Sequence, residues 1–140
     1  MRDYRVEQAI AAPADKVWKI LVDAPLYPEW NPAVRKIEGV IAPGEDLKLT
    51  ATVDPKRAFK LKVTSFTPPS AMTWTGGMPL GMFTGVRTFT LSEGEDGVTT
   101  FVMQEVYSGW LAGTISGRMP DLTESFEQFA AGLKAKAEAQ

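Results

Sequence analysis

Residues 10–23 read Ile-Ala-Ala-Pro-Ala-Asp-Lys-Val-Trp-Lys-Ile-Leu-Val-Asp, and residues 27–32 read Tyr-Pro-Glu-Trp-Asn-Pro. Pro13 suits the first turn of a helix, because the amide proton that proline lacks would have no partner there. An apolar stripe at helical spacing follows, formed by Val17, Trp18, Leu21 and Val22. Pro25 ends this helix, since the residue before a proline disfavours helical geometry. The pattern predicts two short helices after a first strand.

The rest of the chain is typical of strands, followed by one helix. Alternation of apolar and polar residues predicts strands at 4–10, 34–40, 47–53, 59–63, 72–75, 86–92 and 99–108. After Trp110 the period becomes helical, with an apolar face made of Ile115, Met119, Leu122, Phe126, Phe129 and Leu133. Pro120 either starts the main helix or kinks a longer one. We therefore predict an α+β fold, in which a curved antiparallel sheet of about six to seven strands surrounds a long C-terminal helix.

Composition sets the class of protein. The chain has 140 residues, of which 44% are hydrophobic and 23% charged, as in a soluble globular protein, and we expect one domain over residues 1–140. The net charge is −2 and no basic block stands out, which argues against nucleic-acid binding. No apolar run reaches membrane-spanning length, so we expect no membrane span and a cytoplasmic location.

Two missing residue types narrow the possible chemistry. The chain contains no cysteine and no histidine. This excludes thiol nucleophiles, Ser-His-Asp triads and zinc held by cysteine or histidine. Three acidic residues at near-helical spacing fit a solvated helix face better than a metal site: Asp121, Glu124 and Glu127. We predict no catalytic residue, no metal and no cofactor, and any catalysis would depend on carboxylates, Arg, Lys, Tyr or ordered water.

Five motifs together resemble one known superfamily. They are residues 10–13 leading into Val17-Trp18, residues 27–31, residues 74–76, residues 89–91 and residues 104–109. In these motifs the chain resembles the START-related SRPBCC superfamily, which has the helix-grip fold, and most of all its small bacterial polyketide cyclase/dehydrase-like members. The resemblance implies an apolar ligand in a cavity under the long helix. It implies no fixed catalytic motif, because one fold hosts many activities.

The last hairpin allows its register to be predicted. Pairing across the turn at 93–97 places three pairs on one side of the sheet: Leu91 with Phe101, Phe89 with Met103, and Arg87 with Glu105. The apolar pairs indicate that this side faces inward. Arg87 and Glu105 then form an ion pair on the concave wall, with Tyr107 one step beyond. Either these three groups orient a mostly apolar ligand, or the pair is a structural salt bridge without a ligand role.

Other large apolar residues are candidates for the cavity. With the polar residues, the candidate ligand-binding set is Arg87, Glu105, Tyr107, Trp30, Phe89, Met103, Trp74, Met119 and Leu122. Trp30 has two interpretations, because an aromatic residue of this size fits either a core position or the mouth of the pocket.

Residues 76–85 read as an apolar loop rich in glycine and methionine. One interpretation is a mobile lid over the cavity entrance, hinged at glycines and carried by Met78, Leu80, Met82 and Phe83. The other is a loop packed on the helix or on a second subunit, which would make a homodimer.

Three functions follow from these expectations. The first is binding of a hydrophobic or amphipathic small molecule, such as a lipid, an isoprenoid or a polyketide-like compound. The alternative is a polyketide cyclase or dehydratase in which Glu105 or Tyr107 moves protons. The second alternative is a protein-interaction module, like the chaperone activators of the superfamily, for which a filled cavity and an exposed apolar patch would be expected.

Overall fold

Seven strands surround a long C-terminal helix in the computed structural model, which describes residues 3–117 and 119–139. The strands are β1 Tyr4–Ile10, β2 Val34–Glu38, β3 Asp46–Ala51, β4 Ala58–Thr67, β5 Ala71–Met78, β6 Phe83–Glu93 and β7 Thr99–Ser108. The helices are α1 Ala14–Leu21, α2 Tyr27–Trp30, α3 Ala112–Ser116 and α4 Thr123–Glu138, with a 3₁₀ turn at Ala24–Leu26. The predicted α+β helix-grip architecture is confirmed.

The strands form one antiparallel sheet with the order β1-β7-β6-β5-β4-β3-β2. The predicted register of the last hairpin is confirmed, since Arg87 lies opposite Glu105 and Phe89 lies opposite Met103. Inward-facing residues of adjacent strands therefore line up in rows across the concave face. These rows decide which part of the interior is filled and which part stays open.

Two segments differ from the prediction. Residues 76–85 are mostly strand, because β5 continues to Met78 and β6 begins at Phe83, which leaves only 79–82 as a tight connection. The apolar face predicted after Trp110 is also divided. The helix α3 ends at Ser116 and α4 begins at Thr123, where the Asp121 carboxylate accepts a hydrogen bond from the Thr123 amide at 2.9 Å. Pro120 therefore lies between two helices rather than inside one.

The helix α4 packs against β1 and α1 and closes the sheet. Phe129 lies at the centre of the core, with ring centroids 5.6 Å from Trp30 and 5.9 Å from Phe89. One turn later Gly132 lies against α2, where a Cβ would overlap the carbonyl oxygen of Trp30 and would lie 3.2 Å from Cδ of Pro32. A glycine is thus required for α4 to approach this closely. No helix within the described ranges is long and apolar enough to span a membrane.

Candidate functional site

An open cavity of about 370 Å³ lies between the concave face of the sheet and the segment that joins α3 to α4. Most of its lining is apolar and includes Leu49, Ala51, Phe59, Leu61, Ile115 and Pro120. Six of the nine candidate ligand-binding residues also line it: Trp74, Arg87, Glu105, Tyr107, Met119 and Leu122. Its size is at the lower end of small-molecule pockets, which run from about 300 to 1,000 Å³.

Two glycines form part of the cavity wall. The registers of β4 to β7 place Leu61, Gly76, Gly85 and Tyr107 side by side, and we call these four residues the glycine row. A Cβ at Gly85 would lie 3.2 Å from the ring of Tyr107, and a Cβ at Gly76 would lie 2.6 Å from Cδ2 of Leu61. The side chains of Leu61 and Tyr107 therefore lie against the two glycines, and neither glycine could carry a side chain without displacing its neighbour.

The next row supplies the polar groups of the cavity. It consists of Val63, Trp74, Arg87 and Glu105, which we call the polar row. Nε of Arg87 donates to Oε1 of Glu105 at 2.7 Å, and the two side chains are only 16% and 13% exposed. The guanidinium carbon also lies 4.8 Å from the ring centroid of Phe126 in α4. Charge pairing and ring contact hold the arginine in one position inside an otherwise apolar space.

Tyr107 completes this polar group from the glycine row. Its hydroxyl donates a hydrogen bond to Oε2 of Glu105, and its ring stacks on Phe83 with centroids 5.5 Å apart. Burial, together with the negative charge of Glu105 and the hydrogen bond to it, raises the pKa of the Tyr107 phenol well above its ordinary value. The phenol therefore keeps its proton and acts as a donor, and the carboxylate of Glu105 accepts one hydrogen bond on each oxygen.

Three candidate ligand-binding residues lie outside the lining. Phe89 and Met103 belong to a deeper row of the sheet and are fully buried, with Phe129 covering Phe89. Trp30 is buried against Tyr27 and Phe129, with ring centroids 4.7 and 5.6 Å away, so it occupies the core position that its size allows. These side chains shape the fold beneath the cavity rather than its surface.

The four candidate lid residues separate into two groups. Met78 and Phe83 line the cavity from paired positions at the ends of β5 and β6. Leu80 and Met82 lie in the connection at 79–82, where the Leu80 side chain is 90% exposed. Of the glycines in this segment, Gly76, Gly77 and Gly85 pair inside strands, so only Gly81 lies in the connection. The connection is also hydrogen-bonded to the segment after β7, since the amide of Leu111 donates to the carbonyl oxygen of Met82 at 2.8 Å.

The rim of the cavity carries most of the remaining charge. Asp54, Arg57 and Lys60 lie on the turn between β3 and β4 or just after it, and all three contribute to the lining. The Lys60 side chain alternates with Phe59 and Leu61 and lies on the outer face, so the cavity has two cations, Arg57 and Arg87, and two carboxylates, Asp54 and Glu105. Among the described residues no group of three acidic side chains is placed to hold a metal ion.

Sequence reasoning did not identify the wall formed by β3 and β4. Leu49, Phe59 and Leu61 line the cavity, and their alternation with lysines was the available signal. The roles of Gly76 and Gly85 were also missed. Their effect depends on which residues lie opposite them in neighbouring strands, and no local pattern reports that.

Comparison with known proteins agrees with this architecture. Residues 1–138 match the family model described as polyketide cyclase / dehydrase and lipid transport. No curated protein matches the sequence.

Several known structures share the fold. A hypothetical protein from Helicobacter pylori aligns with a TM-score of 0.80 at 13% identity, covering 98% of this chain and 88% of its own. A START superfamily protein from Mycobacterium smegmatis aligns at 0.71 with 16% identity, covering 98% and 97%. A point mutant of Thalictrum norcoclaurine synthase, in complex with a transition state analogue, aligns at 0.73 with 15% identity, covering 97% and 93%. At these identities the likeness shows a common fold.

Proposed function

The chain belongs to the polyketide cyclase / dehydrase and lipid transport family, and on that premise we propose that it binds a hydrophobic or amphipathic small molecule in the cavity. Lipids, isoprenoids and polyketide-like compounds are the ligand classes that this proposal covers. We further propose that the protein acts in the cytoplasm. The START-like fold supports the proposal. In this chain the cavity lies against α3 and the segment that joins α3 to α4, not under α4 itself as expected for the ligand site.

One observation carries this proposal: inside its charged rim the cavity is apolar except for one pre-arranged polar group. Leu49, Phe59, Leu61 and Ile115 form apolar walls, while the polar groups of Arg87, Glu105 and Tyr107 are held together by hydrogen bonds. Apolar walls supply affinity in proportion to the area they bury, at about 25 cal/mol per Å² before the costs of association. A few convergent polar groups then fix the orientation of the ligand.

Native mass spectrometry of the purified protein, followed by extraction of anything bound, tests the proposal directly. We expect an apolar or amphipathic molecule to co-purify. As a second measurement, 1-decanol is titrated into the protein while the indole N–H signals are followed by NMR. Trp74, which lines the cavity, should shift, whereas the largely exposed Trp110, which lies outside the lining, should not. A protein that purifies empty and a Trp74 signal that does not respond would contradict the proposal.

An enzyme acting in the same cavity is the second candidate. The observation that favours it is the contact between the Tyr107 hydroxyl and the Glu105 carboxylate beside open space, since such a pair can relay a proton. The raised pKa of Tyr107 makes its phenol a weak acid, which favours binding over proton transfer. Turnover of a polyketide-like chain that is lost in Glu105→Gln would establish the enzyme. Binding that persists in this variant without turnover of any such substrate would favour a carrier.

A further inference from the structure

Arg87 presents unused donors to the cavity. A guanidinium has five N–H groups, of which Nε donates to Glu105 at 2.7 Å. The two terminal nitrogens of Arg87 make no hydrogen bond to any residue that the structure describes. Glu105 holds one edge of the guanidinium plane and Phe126 covers one of its faces. The edge with both terminal nitrogens therefore forms a fixed donor fork.

Glu105, the acceptor beside this fork, is already engaged on both oxygens. Both carboxylate oxygens of Glu105 already accept a hydrogen bond, one from Arg87 and one from Tyr107. The donors left for a ligand are therefore the terminal nitrogens of Arg87, which a ligand with acceptor oxygens would satisfy.

Charge in the cavity is balanced, so it does not by itself select the head group. The side chain of Lys60 alternates with Phe59 and Leu61 along β4 and lies on the outer face. This leaves Arg57 and Arg87 against Asp54 and Glu105. A preference for an anionic head therefore depends on the free donors of Arg87.

We infer that the ligand is an amphiphile with a carboxylate head, which binds end-on to the terminal nitrogens of Arg87 while its apolar tail lies over the glycine row. This inference rests on the proposed function and names its ligand class. The planar fork of arginine matches the two oxygens of a carboxylate, so that two parallel charge-assisted hydrogen bonds form. The fork is already immobilised by Glu105 and Phe126, which reduces the entropy lost on binding.

Isothermal titration calorimetry of the wild-type protein with three ten-carbon probes tests this ligand class. Decanoate, 1-decanol and decylamine share one tail and differ in the charge of the head, and each is used below its micelle concentration at pH 7.5. We expect decanoate to bind at least about tenfold more tightly than 1-decanol, because hydrogen bonds to charged groups are the stronger ones, and decylamine to bind most weakly. This ranking needs no variant.

Two substitutions assign the preference to Arg87. Arg87→Gln keeps a hydrogen-bonding side chain but removes the charge and the fork, and it should reduce the preference for decanoate over 1-decanol to within about twofold. Arg35→Gln removes an exposed arginine of β2 outside the lining, and it should leave the preference unchanged.

The outcomes separate the inference from the proposed function. Equal affinities for the three probes, or tighter binding of decylamine, would overturn the inference while leaving a binding protein. If a folded Arg87→Gln variant still prefers decanoate, the carboxylate binds at a site other than Arg87, such as the rim. That result would also overturn the inference. If none of the probes binds, the proposed function itself fails.

Discussion

Arg87 and Glu105 face each other across β6 and β7 at 2.7 Å, nearly buried in a cavity whose other walls are mostly apolar. A charge left without its partner in such a place is costly. We therefore expect Arg87→Met to lower the free energy of unfolding by about 2 kcal/mol, a value reduced from that of a fully buried pair because the side chains keep some exposure. The double variant with Glu105→Met should lose less than the sum of the single changes.

Urea unfolding of the four proteins in this double-mutant cycle measures the coupling. The exposed pair of Arg5 and Glu7, 2.9 Å apart with both side chains more than half exposed, is the matched control. Its coupling should be within about 0.5 kcal/mol of zero. Equal coupling energies for the two pairs would show that burial does not strengthen the interaction between Arg87 and Glu105.

Tyr107 should make stability depend on pH in the alkaline range. Burial first, and then the charge of Glu105, raise the pKa of its phenol above the ordinary value of about 10. Below pH 10 the Tyr107 phenol keeps its proton in both the folded and the unfolded state, so its contribution to the free energy of unfolding is fully present. As the pH rises further, the unfolded state loses the proton first, so the free energy of unfolding falls.

The measurement is urea unfolding from pH 7 to pH 11 for the wild type and for Tyr107→Phe. The variant should lose less stability above pH 10 than the wild type does. Part of the decline should remain, because burial also raises the pKa of Tyr27. Identical slopes above pH 10 would show that Tyr107 titrates equally in the two states.

Filling the cavity should prevent binding without unfolding the protein. Ala51 lies at the end of β3 and lines the cavity, so Ala51→Phe fills part of the proposed ligand site with a ring. We expect decanoate affinity to fall at least tenfold, as the buried tail loses most of its apolar contact area. Calorimetry measures the loss. Ala9→Phe, at an exposed position of β1, is the control that should bind normally. Equal affinity in both variants would locate the ligand elsewhere.

Gly132 should tolerate no side chain. A Cβ there would overlap the carbonyl oxygen of Trp30, and a backbone atom cannot give way as the end of a flexible side chain can. Gly132→Ala should therefore lower the free energy of unfolding by about 2 kcal/mol or more, as overpacking does. Gly113→Ala in α3 meets no atom within 4 Å and should raise it by about 0.5 kcal/mol. Thermal unfolding compares the two, and a tolerated Gly132→Ala would mean that α2 and α4 separate easily.

The connection at 79–82 remains a candidate lid, and its motion should be coupled to the segment that it touches. The amide of Trp110 donates a hydrogen bond to the carbonyl oxygen of Gly81 at 3.3 Å, and the amide of Leu111 donates one to the carbonyl oxygen of Met82 at 2.8 Å. If the lid opens, both hydrogen bonds break together. We expect these two amides to exchange at similar rates, faster than the amide of Phe89, and to slow when decanoate binds. Protection as strong as that of Phe89, unchanged by decanoate, would indicate a fixed wall.

The sequence was sufficient to predict the fold and the register of the last hairpin. The apolar residues of β6 and β7 face the same side when Phe89 lies opposite Met103. That register also pairs Arg87 with Glu105. The polar group was therefore predictable to the level of individual side chains. The helical segment after β1 was predictable as well, because proline marks its start and its end.

The cavity was not predictable in the same way. Gly76 and Gly85 lie in a segment whose glycines and methionines suggest a loop, yet pairing with β4 and β7 holds both as strand. Strand propensity depends on neighbours more than on the residue itself. The wall at this row also depends on Leu61 and Tyr107 lying against the glycines, and those residues come from strands far apart in sequence.

The glycine row has a consequence for how the apolar wall and the polar group are coupled. A Cβ at Gly76 would meet a backbone oxygen at 2.8 Å, but at Gly85 its nearest neighbour is the ring of Tyr107. A side chain at Gly85 would therefore press on the same ring whose hydroxyl donates to Glu105. A change in the wall is thus transmitted to the polar group through one aromatic ring, and the two parts of the cavity do not vary independently.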